Sequence, residues 1–159
     1  MSWQLRAATP DDLDAIMAIE TAVFPEDAWS PATMLAELRD RNGYYLVAFP
    51  PDEPGRIDAY AGLRAPRRQP QADIQTIAVV EDARRRGLGR VLMLRLIEEA
   101  RERGATELFL EVRADNPGAQ TLYESLGFEQ IAMRPKYYGG VVDAVIMRLT
   151  IPEPRTGIA

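Results

Sequence analysis

Apolar positions along the chain change period repeatedly, from alternation to helical spacing and back, and this predicts a mixed α/β order of elements. Residues 3–6 read as a short first strand. Thr9-Pro10-Asp11-Asp12 then opens a helix, with a capping Thr, Pro at the first helical position and acids in the first turn. Leu13, Ile16, Met17, Ile19 and Glu20 carry the helical spacing to about Ala22. A loop covers 23–29. Ser30-Pro31 caps a second helix with Met34, Leu35 and Leu38 on one face, expected to end near Asn42-Gly43. Residues 44–49 and 57–63 form a hairpin around a turn at 50–55.

The second half repeats the pattern. A strand at 73–80 follows the polar loop at 64–71 and leads through a turn at 81–86 into a long helix, from Gly87 to about Arg103. Leu88, Val91, Leu92, Leu94 and Ile97 predict a broad buried face for that helix. Gly104 ends it. A strand at 107–112 precedes a helix that starts at Asn116-Pro117 and stops at Gly127. A strand at 128–133, a loop at 134–140 and a last strand at 141–149 complete the order. No internal repeat or linker interrupts it, so one α/β domain over 1–151 with a mixed sheet is expected, followed by a flexible tail at 152–159.

Composition narrows the chemistry. The 159 residues hold no cysteine and no histidine, and Lys136 is the single lysine among 19 basic residues. This excludes a disulfide framework, a thiol nucleophile, Ser-His or Cys-His triads and zinc fingers. Proton transfer near neutral pH falls to Asp, Glu, Tyr, the lone lysine, an α-amine or water. Hydrophobic residues at 47% and charged residues at 27% are globular proportions, and no apolar run approaches the roughly 18 residues of a membrane span. A soluble, cytoplasmic protein with no membrane partner is expected. The net charge of −5 argues against a nucleic-acid partner.

One segment stands out as a ligand site. Arg84-Arg85-Arg86-Gly87-Leu88-Gly89-Arg90 lies between a buried strand and the long helix. Glycines admit a ligand to the backbone, and the first N–H groups of a helix have no partner within it. Those donors, the helix dipole and the arginines suit an anion such as a diphosphate; the alternative is an exposed basic turn. No Gly-Lys-Ser/Thr follows, and Leu92 occupies the third glycine position of a dinucleotide fingerprint.

Arg84-x-x-Gly87-x-Gly89 after its strand resembles the acetyl-CoA pyrophosphate loop of the GCN5-related N-acetyltransferases (GNAT superfamily). Asn116 followed by Leu122-Tyr123-Glu124-Ser125-Leu126-Gly127-Phe128 is similar to their next helix and strand. More narrowly, Leu110-Glu111-Val112-Arg113-Ala114-Asp115-Asn116, Arg134-Pro135-Lys136-Tyr137-Tyr138, Asp143-Ala144 and Phe24-Pro25-x-x-x-Trp29-Ser30 resemble the RimI-type ribosomal-protein-alanine N-acetyltransferases. The resemblance spans about residues 3–149. Three positions depart from it: Arg84, where many members have Gln; Asp115, where Ser or Asn is usual; and Val142, where Glu is usual.

The resemblance implies a single GNAT-type domain: a mixed, mostly antiparallel sheet of about seven strands, splayed between strands 4 and 5 and flanked by about four helices. Acetyl-CoA would enter the splay as co-substrate, with no metal. Its pantetheine would pair with the backbone over Ile77, Ala78 and Val79, and its diphosphate would sit on Arg84, Arg85, Arg86, Gly87, Leu88, Gly89 and Arg90. Strand edges suit such pairing, although Ile77 and Val79 equally fit ordinary sheet core.

Glu111 is the implied general base; alternation places it on the face opposite Leu108 and Leu110, where partial burial near Phe109 would favour proton uptake. The plainer alternative is a Glu111–Arg113 pair on one face. Tyr123 is the implied general acid toward the leaving thiol and touches the cofactor; the alternative is a core tyrosine on the inward side shared by Ala119, Leu122 and Leu126. Asn116 would touch pantetheine, or simply cap its helix.

For the acceptor, Phe24, Pro25, Trp29, Tyr137 and Tyr138 would wall a groove for a polypeptide N-terminus, or else pack loop ends. Asp143 would bind a basic residue of that polypeptide, or accept a local hydrogen bond. The implied reaction is direct transfer, in a ternary complex, to the N-terminal alanine of a small-subunit ribosomal protein, by a monomer or weak dimer. Competing expectations are a different protein N-terminus, a lysine side chain or a small-molecule amine as acceptor, and a non-catalytic acyl-CoA-binding module.

Overall fold

A computed structural model describes residues 2–152; Met1 and residues 153–159, which include nearly all of the expected tail, lie outside them. Seven strands and four α-helices occur among the described residues: β1 (Gln4–Ala7), α1 (Leu13–Val23), α2 (Pro31–Arg39), β2 (Gly43–Phe49), β3 (Ala59–Arg64), β4 (Gln71–Val79), α3 (Leu88–Glu102), β5 (Glu107–Arg113), α4 (Pro117–Ser125), β6 (Glu129–Tyr138) and β7 (Val142–Thr150). The strands form one mixed sheet in the order β1-β2-β3-β4-β5-β7-β6. β4 and β5 are parallel and pair only from Gln71↔Glu107 to Asp73↔Phe109, after which their ladder stops; this is the expected splay. By packing, the chain divides into two compact units, Met1–Arg64 with Ile74–Leu96 and Ala65–Asp73 with Ile97–Ala159.

In the first unit, α1 is entered through a 3₁₀ turn at Pro10–Asp12. The Thr9 amide donates to Asp12 Oδ2 at 2.8 Å, and the Arg6 guanidinium forks onto both Asp12 oxygens at 2.8 Å. The Arg6 hydrogen bonds hold the Asp12 carboxyl below its usual range. Ser30 caps α2 by accepting from the Thr33 amide. That helix stops at Arg39, earlier than its spacing predicts, because Asp40 Oδ1 accepts from the Asn42 amide and turns the chain directly into β2. Ile16, Ile19, Met34, Tyr45, Val47, Tyr60 and Ala78 make the core here. Tyr45 lies across the sheet from Gly62, and a Cβ at Gly62 would come within 2.2 Å of the Tyr45 ring.

The long helix α3 buries Leu88, Leu92, Met93, Leu96 and Ala100. Val91 and Leu94, expected inside, are exposed, because a 3.6-residue turn carries them away from the Leu88-Leu92-Leu96 line. In the second unit, β5 alternates as predicted, with Leu108, Leu110 and Val112 buried. α3 and α4 both end in Schellman motifs: the Ala105 amide bonds the Ala100 carbonyl, and the Phe128 amide bonds the Tyr123 carbonyl, each at 3.0 Å.

β6 corrects the sequence reading most. The segment 134–140, expected to be a loop, is strand as far as Tyr138 and then a tight turn through Gly139 and Gly140, both at positive φ. The strand passes through two register shifts against β7, one between Gln130 and Ala132 and one between Arg134 and Tyr138. Pro135 and Lys136 occupy the second, and they gave the stretch its loop-like composition.

Candidate active site

The predicted site residues divide between the two units. In the first, Ala78 is buried in the core while Ile77 and Val79 are half-buried. The strand's main chain over these residues has no ladder with β5. Arg84 folds back, its Nε donating to the Val79 carbonyl at 3.0 Å.

The following loop has Arg85 at φ +63 and Gly87 at φ +83. Gly87 is needed for this conformation rather than for space, since a Cβ there would meet nothing within 4 Å. The first helical bond of α3 runs from the Val91 amide to the Gly87 carbonyl, so the amides of Leu88 and Gly89 precede any helical partner. Arg84, Arg85, Arg86 and Arg90 are exposed around them, and Leu88 is buried. An open cradle of amides and guanidiniums fits a diphosphate. Beside it lies a shallow pocket of about 200 Å³, lined by Trp3, Leu5, Arg86, Gly87, Leu88 and Val91.

The loop between α1 and α2 also belongs to this unit. Phe24 and Trp29 are half-buried against the core and Pro25 is exposed. Its anchor is Glu20, which is 2% exposed. One carboxylate oxygen accepts from the Trp29 amide at 2.9 Å and the other from the Tyr60 hydroxyl.

In the second unit a continuous set of contacts links Glu111, Tyr137 and Tyr138. The Glu111 side chain, on β5, is 31% exposed. It makes an ion pair with Arg134, at 3.4 Å. The Arg134 guanidinium stacks over the Tyr137 ring at 4.6 Å, and Tyr137 meets Tyr138 edge-to-face with centroids 5.0 Å apart. Arg113 covers the other ring of the pair, Tyr138, at 5.3 Å and forks onto Asp115. The Asp115 that departs from the family pattern therefore holds an arginine.

Tyr123 has a buried ring, edge-on to Phe128 with centroids 6.0 Å apart. Burial, with the Tyr138 phenol adding to it, pushes its hydroxyl up to about 12, so the group carries its proton at any physiological pH. Ala119, Leu122 and Leu126 are half-buried on the same side, as the helical spacing predicts. Asn116 caps α4, its Oδ1 accepting from the Ala119 amide at 3.2 Å. Asp143 makes a local hydrogen bond, its Oδ1 accepting from the Lys136 amide at 2.8 Å.

Sequence reasoning missed three participants. Arg134 meets Glu111 from two strands away, a pairing that only the sheet order creates. Tyr60 read as one more apolar strand position. Glu20 left a trace, an acid one helical turn after Ile16 on an otherwise apolar stripe.

The sheet order and the splay between β4 and β5 are those of an acyltransferase fold. Residues 13–128 match the acetyltransferase (GNAT) family, and the chain belongs to that family and is an N-acetyltransferase. Its relatives place it more narrowly, with the RimI-type enzymes. It is 50% identical over 145 residues to the [ribosomal protein bS18]-alanine N-acetyltransferase of Salmonella typhimurium, covering 88% of this chain and 92% of that one. Its fold matches the crystal structure of the ribosomal-protein-S18-alanine N-acetyltransferase from Escherichia coli with a TM-score of 0.82 at 32% identity, over 99% of both chains. yncA of Salmonella typhimurium, solved with its cofactor acetyl-CoA, matches with a TM-score of 0.79 at 25% identity, over 100% of this chain and 99% of that one. An uncharacterized protein of Mycobacterium leprae is 37% identical over 144 residues, 88% of this chain; the match covers 38% of its length.

Proposed function

We propose that this protein is an acetyl-CoA-dependent Nα-acetyltransferase for the N-terminal alanine of a small-subunit ribosomal protein, working by direct transfer in a ternary complex. The observation that carries the reading is the chain of contacts from Glu111 through Arg134 to Tyr137 and Tyr138, with the protonated Tyr123 in the same unit. The bS18-alanine enzymes among the relatives support the choice of acceptor.

Acetyl-CoA supplies the acetyl thioester. In the first unit, the main chain over Ile77, Ala78 and Val79 holds pantetheine, and the amides and arginines of 84–90 hold the diphosphate. An N-terminal ammonium cannot attack until it loses a proton. Glu111 accepts that proton directly or through one water. Tyr123 donates a proton to the departing sulfur, leaving a neutral thiol. In the first unit Phe24, Pro25 and Trp29 are acceptor contacts; in the second, Tyr137 and Tyr138 are, with hydroxyls for the acceptor's backbone and rings to exclude large side chains.

Incubating the protein with acetyl-CoA and a basic peptide that starts with alanine tests the proposal. Mass spectrometry should locate one acetyl group on the α-amine. Transfer confined to lysine side chains, or no transfer by folded protein, overturns it.

A further inference from the structure

The geometry points to Glu20 and Tyr60 as a buried latch that positions the α1–α2 loop for the acceptor, a role that rests on the acceptor reading above. Glu20 lies in the last two turns of α1, on the face that carries Ile16 and Ile19 into the core, and it is 2% exposed. A carboxyl group at that depth costs free energy unless its oxygens are hydrogen-bonded. Both are. Tyr60, fully buried on β3, donates its hydroxyl to Oε1, and the Trp29 amide donates to Oε2.

The two bonds differ in kind. The Tyr60 bond ties the carboxylate to the sheet and fixes its rotamer. The Trp29 bond reaches nine residues along the chain, to the far end of the loop that carries Phe24, Pro25 and Trp29. At its near end the same residue's main chain is used, since the Phe24 amide bonds the Glu20 carbonyl at 2.8 Å. One residue therefore holds both ends of the loop, through its backbone at Phe24 and its side chain at Trp29. An apolar residue at position 20 would serve the core at lower cost, but could not hold the Trp29 amide.

Glu20 and Tyr60 are accordingly positioning residues. They fix where the Phe24 and Trp29 rings stand when the acceptor arrives, and they take no part in proton transfer or in holding acetyl-CoA.

Hydrogen exchange on the full-length chain, free of substrate, tests the latch separately from the acceptor assignment. In Glu20→Ala the peptide covering 24–30 should exchange about tenfold faster while α4 is unchanged. Glu20→Gln keeps an oxygen for the Trp29 amide and should restore slow exchange. Tyr60→Phe should fall between the two. In the acetylation assay, Glu20→Ala should raise KM for the alanine-starting peptide about tenfold with kcat and the KM for acetyl-CoA within about twofold, and Glu20→Gln should recover most of the loss. Unchanged exchange over 24–30 in Glu20→Ala overturns the latch, and so does an equal rise in both KM values. If Glu20→Ala does not fold, Tyr60→Phe decides: faster exchange over 24–30 than in Glu20→Gln supports the latch, and equal exchange overturns it. A wild-type protein inactive on the peptide defeats the acceptor reading alone, leaving the exchange result to stand.

Discussion

Asp143 Oδ1 accepts a hydrogen bond from the Lys136 amide at 2.8 Å, and Lys136 sits at φ +51, in the left-handed region. The bond spans the register shift that separates Arg134 from Tyr138, so it sets where the two tyrosines leave the strand. A residue other than glycine holds that backbone conformation only under local restraint. The two roles for Asp143, direct contact with the acceptor and support of the bulge, now separate experimentally. Asp143→Asn keeps the accepting oxygen and should stay within about threefold of wild type in acceptor KM, whereas Asp143→Ala should raise it about tenfold and cost about 1 kcal/mol of stability. Equal losses in both variants would favour direct binding of a basic acceptor residue.

Proton transfer makes a sharper kinetic prediction. Glu111→Gln and Tyr123→Phe should each lower kcat by about a hundredfold or more. Acetyl-CoA affinity by calorimetry should stay within about twofold, because neither change touches the amide cradle at 84–90. Near wild-type turnover in both variants would reject the assigned roles.

Alkaline stability follows from buried phenols. Burial pushes the Tyr123 hydroxyl up to about 12, and it also raises Tyr45 and Tyr60 above their ordinary value. An unfolded tyrosine ionises near 10. Above that pH the unfolded chain has released protons that the folded chain keeps, so stability is complete below about 10 and falls as pH rises through the folded values. Urea unfolding between pH 8 and 11 should show this loss. Tyr123→Phe should flatten its slope.

The packing of Tyr45 on Gly62 predicts a costly insertion. A methyl group at position 62 would overlap a ring that is itself buried. Gly62→Ala should destabilise the protein by about 3 kcal/mol, the upper range for overpacking, measured as a lower urea midpoint. Tyr45→Ala in the same chain should make Gly62→Ala nearly harmless, which a double-mutant cycle would detect.

Local signals in the sequence were read well, and long-range ones were not. Ser30-Pro31, Asn116-Pro117, Gly104 and Gly127 mark helix ends by chemistry acting within a few residues, and the structure places caps at all four. Alternation found the buried leucines of β5. The β6 segment was misread because Pro135, Lys136 and two glycines compose a loop, whereas pairing with β7 keeps the chain in a strand. Glu111 was located by its motif, but its exposure and its partner depend on a strand order that no local pattern encodes. Glu20 was invisible for a related reason, since an acid on an apolar stripe has meaning only once Tyr60 and Trp29 are seen to meet it.

β6 ends the sheet order, and an outermost strand offers its free main chain to any strand that drifts alongside. This one is poorly suited to such templating. Its two bulges break the regular spacing of donors, Pro135 supplies none, and Arg134 and Lys136 bring charge to the rim. The distortion that sets Tyr137 and Tyr138 in place therefore also guards the chain against edge-to-edge aggregation. A substitution that straightened β6 to improve its pairing would leave a smoother and stickier border.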